Sequence, residues 1–141
     1  MIISTKRFGE IEIDENKIIN FDEGLPGFPD DTQFILLENE EPFWWLQSVV
    51  NGENAFILMN ACSIMPDYDP LVDEVEIDSL GEYSPEDFLI YNIVTLPEDV
   101  KQMTVNLMAP VVINSIEKKG KQVIVNNDNY YVKHYLFSSE D

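Results

Sequence analysis

Residues able to do chemistry are sparse in this chain, apart from its carboxylates. His134 is the only histidine and Cys62 the only cysteine, so a Ser-His-Asp or Cys-His arrangement would have to use one of them. His134 lies in an alternating segment near the carboxyl end, where we expect a surface or structural role. Cys62 lacks an activating neighbour in the sequence, and we expect it to be a small buried apolar residue. One cysteine and one histidine cannot complete a tetrahedral zinc site without carboxylates.

Carboxylates alone could bind calcium or cleave a glycoside. Asp67, Asp69 and Asp73 resemble the beginning of a calcium-binding loop. Such a loop requires a polar residue and then glycine at the positions of Leu71 and Val72. Pairs of acids suited to glycoside cleavage arise by chance in a chain with 27 acidic residues. The glycines form no phosphate-binding motif. The sequence therefore predicts neither catalysis nor a metal or other cofactor.

The charge balance is more informative than any single residue. The 141 residues include 27 acids and 8 lysines or arginines, which gives a net charge of −19. Between Ile18 and Val100 there is no basic residue, whereas nineteen acids fall there. Such a chain repels phosphate backbones and anionic membranes, so we expect no direct nucleic-acid or membrane binding. It would attract a basic protein, although excess acid is equally consistent with a role in solubility alone.

Two features indicate protein binding. The segment from Asp67 to Asp87 carries nine acids interleaved with apolar residues, and it could receive a basic amphipathic helix or form a solvated loop over the core. The sequence Phe43-Trp44-Trp45 places aromatic side chains on both faces of one strand. We expect one tryptophan to be buried and the other to face outward or line a groove, where it could anchor a partner. Packing of both in the core is the alternative. The candidate partner-binding residues are Trp44, Trp45, Asp67, Asp69, Asp73, Glu74, Glu76 and Asp78.

Short strands must position these side chains. Ile11 and Ile13 alternate with acids, as in a half-buried strand, and Asn51-Gly52 is typical of a hairpin turn. Ser84-Pro85-Glu86-Asp87 predicts one helical turn before a strand, and residues 66–81 are expected to hold another short strand or helical turn. The predicted strands cover residues 10–14, 17–21, 32–37, 43–49, 54–60, 88–96, 104–108, 110–116, 122–126 and 130–135, with a turn over 117–121.

About nine or ten short strands with one or two helical turns predict an all-β fold. We expect a small antiparallel β-barrel that forms a single domain over residues 1–141. No apolar run reaches the ~18–20 residues that would span a bilayer. Lys6 and Arg7 are followed by Gly9 and Glu10 instead of an apolar signal core. We therefore expect a cytoplasmic protein.

Five segments in order resemble one known family. They read FDEGLPGF over 21–28, WLQS over 45–48, IVTLP over 93–97, TVNLMAPVVIN over 104–114 and GKQV over 120–123. This series covers nearly the whole chain and resembles the flagellar assembly factor FliW family. Glycine, proline and apolar residues dominate these segments, so their roles are expected to be structural.

The resemblance implies a non-catalytic bacterial protein with two partners. Proteins of this family bind flagellin, in a chaperone-like manner, and the translational repressor CsrA, which blocks the flagellin messenger. Antagonism of CsrA relieves that block, and accumulating flagellin withdraws the factor again. On this basis we expect the acidic segment 67–87 to contact CsrA and neighbouring apolar residues to contact flagellin. The residues alone leave two alternatives: a small carboxylate-dependent hydrolase, and a carbohydrate-binding barrel that uses Trp44 and Trp45.

Overall fold

Residues 1–137 are described by a computed structural model and form eleven strands, one short α-helix and four 3₁₀ turns. The strands are β1 (Ile2–Thr5), β2 (Gly9–Glu12), β3 (Ile19–Asn20), β4 (Gln33–Glu38), β5 (Phe43–Ser48), β6 (Ala55–Met59), β7 (Phe88–Thr95), β8 (Thr104–Val105), β9 (Val111–Asn114), β10 (Lys119–Gln122) and β11 (His134–Tyr135). Helix α1 covers Glu74–Asp78, and the 3₁₀ turns cover Glu15–Lys17, Ala61–Ser63, Pro85–Asp87 and Val100–Gln102.

Seven strands close into a barrel, which confirms the predicted fold class. They run in the order β3-β4-β5-β6-β7-β9-β10, and β10 returns to β3. Every pairing within residues 1–137 is antiparallel except β3 with β10, which meet in parallel at Asn20 and Lys119. Strand β8 pairs with the carboxyl end of β7, and β11 pairs with β8 at the edge of the sheet. Closure removes most of the strand edges that would otherwise be open to pairing.

The barrel interior is filled by side chains that alternate along these strands. Phe34, Leu46 and Leu58 are fully buried there, together with Phe21 from the segment after β3. Gly120 of β10 has no side chain because the Phe21 ring occupies its place: a Cβ atom at position 120 would lie 2.5 Å from that ring. The GKQV segment therefore serves core packing.

The loop after Phe21 depends on a left-handed glycine. Gly24 has a φ of +65°, and a Cβ at this position would lie 2.3 Å from the carbonyl oxygen of Phe28. The loop buries Leu25 in the barrel core and sets the Phe28 ring edge-on against Phe56, with centroids 5.9 Å apart. The FDEGLPGF segment is thus explained by backbone geometry and packing.

Three peripheral segments cover apolar residues on the outer face of the barrel. The β1–β2 hairpin packs Ile3 and Ile13 against Ile35 of β4. The segment 61–72 and the carboxyl-terminal residues pack around Met59 of β6 and Val94 of β7. Residues of and just after α1 cover β9. Because these covers carry many of the polar residues, they determine what the outside of the barrel presents to a partner.

Several predicted element boundaries were right and others were wrong. The helical turn at Pro85–Asp87 followed by β7, the hairpin between β5 and β6, and the helical turn within 66–81 are all present. The strand β1 was not predicted, the strand predicted over 17–21 covers only Ile19–Asn20, and the last strand is two residues long instead of six. The strand predicted over 122–126 lies at Lys119–Gln122. No helix within residues 1–137 is long and apolar enough to cross a membrane.

Candidate partner-binding surface

The six predicted acidic residues lie on one continuous segment that packs on the barrel. Asp67, Asp69 and Asp73 precede or cap α1, and the remaining three lie on the helix itself. Five of the six side chains are exposed, and only Glu76 is half-buried. The acids therefore point outward, whereas Tyr68, Val72 and Ile77 of the same segment pack inward. The exposed acidic surface comprises Asp67, Asp69, Asp73, Glu74 and Asp78.

Tyr68 anchors this surface in the core. Its side chain is 7% exposed, and its hydroxyl donates to the carbonyl oxygen of Leu107 at 2.7 Å. The same hydroxyl accepts a hydrogen bond from Nδ2 of Asn92 on β7 at 3.0 Å. Burial is the main cause that raises the pKa of Tyr68 to about 12, against a smaller lowering effect of the Asn92 hydrogen bond. The Tyr68 hydroxyl is neutral and makes two hydrogen bonds. Because Tyr68 lies between Asp67 and Asp69 in the sequence, these bonds fix the position of both aspartates on the surface.

Two consecutive asparagines and a second tyrosine fix the same segment from outside the barrel. The Asn127 side chain accepts from the Leu71 N–H at 2.7 Å and donates to the Asp69 carbonyl at 3.1 Å. Asn126 Nδ2 donates to an Asp73 carboxylate oxygen at 2.9 Å, and the Asp69 N–H donates to the Tyr130 hydroxyl at 2.8 Å. These contacts join residues more than fifty positions apart, so the acidic segment is held in one conformation by the carboxyl-terminal part of the chain.

Glu76 is different from the other acids because it is paired. Lys121 Nζ lies 2.9 Å from Glu76 and 3.8 Å from Glu23. The hydrogen bond with Glu76 is the largest cause that raises the pKa of Lys121, against a smaller opposing effect of burial. Glu76 therefore tethers α1 to β10 and contributes less negative charge to the surface than its neighbours. The sequence held no signal for this pair, since Lys121 was expected only in a turn.

The two tryptophans point to opposite faces of β5, as predicted, but neither is fully buried or exposed. Trp44 packs against the barrel core, with its ring centroid 6.0 Å from that of Tyr91. Trp45 lies on the outer face under the amino-terminal hairpin, where the Arg7 guanidinium sits 4.1 Å from the ring centroid. Phe8 contacts the same indole edge-on at 6.1 Å. Trp45 thus faces outward as expected, although the hairpin half-covers it with a cation and a ring. Trp44 is only half-buried, whereas full burial was expected for one of the two.

Two further expectations concerned reactive side chains. Cys62 was expected to be buried and is exposed in the turn Ala61–Ser63. Its position follows from the Asn60 side chain, which caps this turn by accepting from the Cys62 N–H at 3.0 Å. His134 is half-buried on β11 and lines a cleft with Lys101 and Lys133. Among residues 1–137, no three His, Cys, Asp or Glu side chains are grouped so that they could hold a metal ion.

Exposed apolar side chains adjoin the acidic surface. Val75 on α1 is 79% exposed, and Leu71 in the preceding loop is 52% exposed. Ile64 is 40% exposed near the start of the same segment. Isolated exposed aliphatic residues are ordinary, but these three lie on one segment beside the carboxylates. The surface is thus mixed, with apolar contacts available next to charge.

Comparison with known proteins gives a consistent result. A family model described as "FliW protein" matches residues 2–136. The flagellar assembly factor FliW of Alkaliphilus metalliredigens is 46% identical over 139 residues, which cover 96% of this chain and 86% of that protein. Its counterpart in Caldicellulosiruptor saccharolyticus is 41% identical over 140 residues, which cover 98% of this chain and 91% of that protein.

Similarity in three dimensions agrees with similarity in sequence. A crystal structure of the flagellar assembly factor FliW superposes with a TM-score of 0.91 at 40% identity, and the match covers 100% of both chains. Full coverage means that the barrel, its three covering segments and the acidic segment all belong to the shared architecture. This chain is therefore a member of the FliW family.

Proposed function

We propose that this protein is a cytoplasmic flagellar assembly factor that acts by binding other proteins and not by catalysis. Its partners in this proposal are flagellin, which it shields in a chaperone-like manner, and the translational repressor CsrA, which it antagonises. Family membership over nearly the full chain supports the assembly role. The observation that carries the partner assignment is the exposed acidic surface on a segment pinned to the barrel.

The charge of this surface fits a repressor that binds RNA. Such a protein presents positive charge to phosphates, so an anionic partner is attracted to it over a distance of several ångströms. Once bound, the exposed carboxylates would place negative potential near the RNA-binding surface. Displacement of RNA can therefore be partly electrostatic, without any side chain entering the RNA site.

The apolar residues beside the acids fit flagellin better. Flagellin has terminal segments that form amphipathic helices in the filament and are exposed in the monomer. Val75 and Leu71 offer aliphatic contact to such a helix, while the acids around them face any basic side chains of that helix. Because both partners would use one segment, their binding would be mutually exclusive.

Gel filtration of the purified protein with flagellin, with CsrA and with both tests this exchange. We expect two binary complexes and no ternary species. Co-elution of all three proteins would exclude a shared surface. Failure of both binary complexes would exclude the proposed function as a whole.

Substitution of exposed carboxylates separates the two kinds of contact. We expect Asp67→Ser, Glu74→Ser and Asp78→Ser together to slow CsrA association roughly tenfold at low salt, with a smaller effect on flagellin. These three acids avoid Glu76, whose loss would also release Lys121. The matched control carries Glu10→Ser, Glu12→Ser and Glu15→Ser, which remove the same charge from the exposed amino-terminal hairpin region. Equal loss in both triple variants would show that only net charge matters.

A further inference from the structure

One edge of the sheet remains open in the described part of the chain. Among residues 1–137, strand β11 pairs only with β8. The Leu136 N–H donates to the Met103 carbonyl at 3.1 Å, which makes 136–103 a hydrogen-bonded pair. Pairs alternate along an antiparallel ladder, so Tyr135 opposite Thr104 is a non-hydrogen-bonded pair. The peptide N–H and C=O of Tyr135 therefore point away from β8, toward the free edge.

A cleft of about 780 Å³ is lined by β11 with its flanking residues and by the turn before β8. Its lining includes Lys101, Lys133 and His134 from a chain whose net charge is −19. Among residues 1–137, the ion pairs shorter than 4 Å both involve Lys121, so neither lining lysine is neutralised by a described carboxylate. Two exposed aromatic rings line the same cleft, Tyr131 at 68% exposure and Tyr135 at 56%.

We propose that this cleft is a docking site for an extended polypeptide segment that carries carboxylate side chains. The segment would add to the free edge of β11 as a further strand, with backbone hydrogen bonds to Tyr135. Side chains of an added strand alternate between faces, so acids at every second position would share one face and could reach the two lysines that line the cleft, Lys101 and Lys133. The aromatic rings would cover the apolar residues between them. This partner has the opposite charge to the one proposed for the acidic surface, so the two sites are distinct.

Charge distinguishes this occupant from two others. A second copy pairing edge to edge would bring two sets of these cations together, and lysine on an open edge discourages such pairing. Single-stranded RNA could stack on the aromatic rings, but it has no peptide N–H and C=O groups that could pair with the free edge of β11. Only an acidic peptide uses both the backbone groups of the edge and the cations beside it.

Fluorescence anisotropy with a labelled peptide, Glu-Val-Glu-Val-Glu-Val, tests the proposal on the full chain. We expect saturable binding, and no binding of the Lys-Val peptide of equal length. A version N-methylated at every internal peptide nitrogen keeps the charges but cannot donate to a strand edge, and it should lose most of the binding. Lys101→Glu with Lys133→Glu should weaken the Glu-Val peptide roughly tenfold or more, because both side chains are exposed and reverse from attraction to repulsion.

The matched control is Lys6→Glu with Lys17→Glu, which makes the same change in net charge at exposed positions outside the cleft. It should bind the peptide nearly as well as the unsubstituted protein, and thermal melts should be similar for both double variants. Absence of Glu-Val binding, or equal binding of the N-methylated peptide, would overturn strand addition. Stronger binding of labelled oligouridine than of the peptide, or a dimer peak on gel filtration, would assign the cleft to a different occupant and overturn the proposal.

Discussion

At the scale of single residues, Tyr68 does most to connect the surface with the core. It lies between two exposed aspartates, yet its hydroxyl bridges Leu107 and the fully buried Asn92. Its ring packs against Tyr130 with centroids 4.8 Å apart. The acidic segment is therefore held by a buried polar contact as well as by apolar packing. Removal of the Tyr68 hydroxyl oxygen should affect both the core and the acidic segment.

We expect Tyr68→Phe to destabilise the fold by about 1–3 kcal/mol at pH 7, because it leaves a buried amide and a buried carbonyl short of one partner. The Asn92 side chain is already short of one hydrogen bond, since its Oδ1 has no partner among the described residues. The substitution would leave this buried amide short of a second one. Urea denaturation followed by tryptophan fluorescence measures the loss. The control is Tyr131→Phe, at a ring that is 68% exposed, for which we expect almost no change. Equal stability of the two variants would show that the hydroxyl contributes nothing.

The same residue predicts an alkaline dependence of stability. The pKa of Tyr68 is raised from 10.0 to about 12, chiefly by burial, so the folded state keeps a proton that the unfolded state releases above pH 10. Its contribution to stability is complete below pH 10 and declines as the pH rises from 10 to 12. Urea midpoints between pH 9 and 12 should therefore fall more steeply for the unsubstituted protein than for Tyr68→Phe. Parallel curves would assign the alkaline loss to other groups.

At the scale of elements, α1 is a short helix stabilised by its surroundings. It has five residues and no side-chain hydrogen bond at its N-cap, and isolated helices of this length are unstable in water. Packing of Ile77 and Leu80 on β9, together with the Glu76–Lys121 pair, supplies what the helix itself lacks. Acids in its first turn, Glu74 and Glu76, add favourable interaction with the helix dipole.

We expect Lys121→Gln to loosen α1 while leaving the barrel intact. Amide hydrogen exchange should accelerate severalfold at Glu76, Leu80 and Gly81, whose N–H groups bond within this helical segment, because the tether between the helix and β10 is lost. Global stability should fall by no more than about 1 kcal/mol, since the pair is partly solvated. Lys17→Gln, at an exposed 3₁₀ turn, is the charge-matched control. Unchanged exchange in α1 would show that apolar packing alone holds the helix.

Local signals predicted the elements well where neighbours in sequence decide the structure. The turn at Pro85–Asp87 followed from its capping residues: the Ser84 N–H donates to the Asp87 carboxylate at 2.9 Å. The start of β10 was misplaced because Gly120 was interpreted as a turn residue. Its actual role is to make room for the Phe21 ring, and the chain reverses earlier, where Lys118 has a φ of 56°. Contacts between distant parts of the chain set this boundary, and a single sequence does not reveal them.

For the candidate surface too, the sequence predicted some features and missed others. Composition identified the 67–78 segment as acidic, and the structure exposes five of its six acids. The pairing of Glu76 with Lys121 joins residues forty-five positions apart, and the cover of Arg7 over Trp45 depends on how the β1–β2 hairpin packs. Neither follows from local pattern. Composition therefore predicts what the surface carries, whereas tertiary packing decides which of those charges remain available.

At the scale of the whole molecule, added salt should have opposite effects on the stability of the fold and on the proposed binding of CsrA. A net charge of −19 on a chain of this size is self-repulsive in the compact state. Within residues 1–137 only Lys121 relieves that repulsion through ion pairs shorter than 4 Å. Salt should therefore stabilise the folded protein, since charges separated by more than ~10 Å are largely screened at 0.1 M.

We expect the free energy of unfolding, measured with urea, to rise by on the order of 1 kcal/mol when sodium chloride is raised from 20 to 300 mM.

Association with CsrA should slow over the same range, because screening weakens the attraction between the acidic surface and a basic partner. The two measurements therefore control for each other. If salt acted on binding only by changing the stability of the fold, stability and association rate would change in the same direction. Stability that falls with salt would show that local ion pairs outweigh self-repulsion. An association rate that does not respond to salt would mean that charge does not guide the partner to this surface.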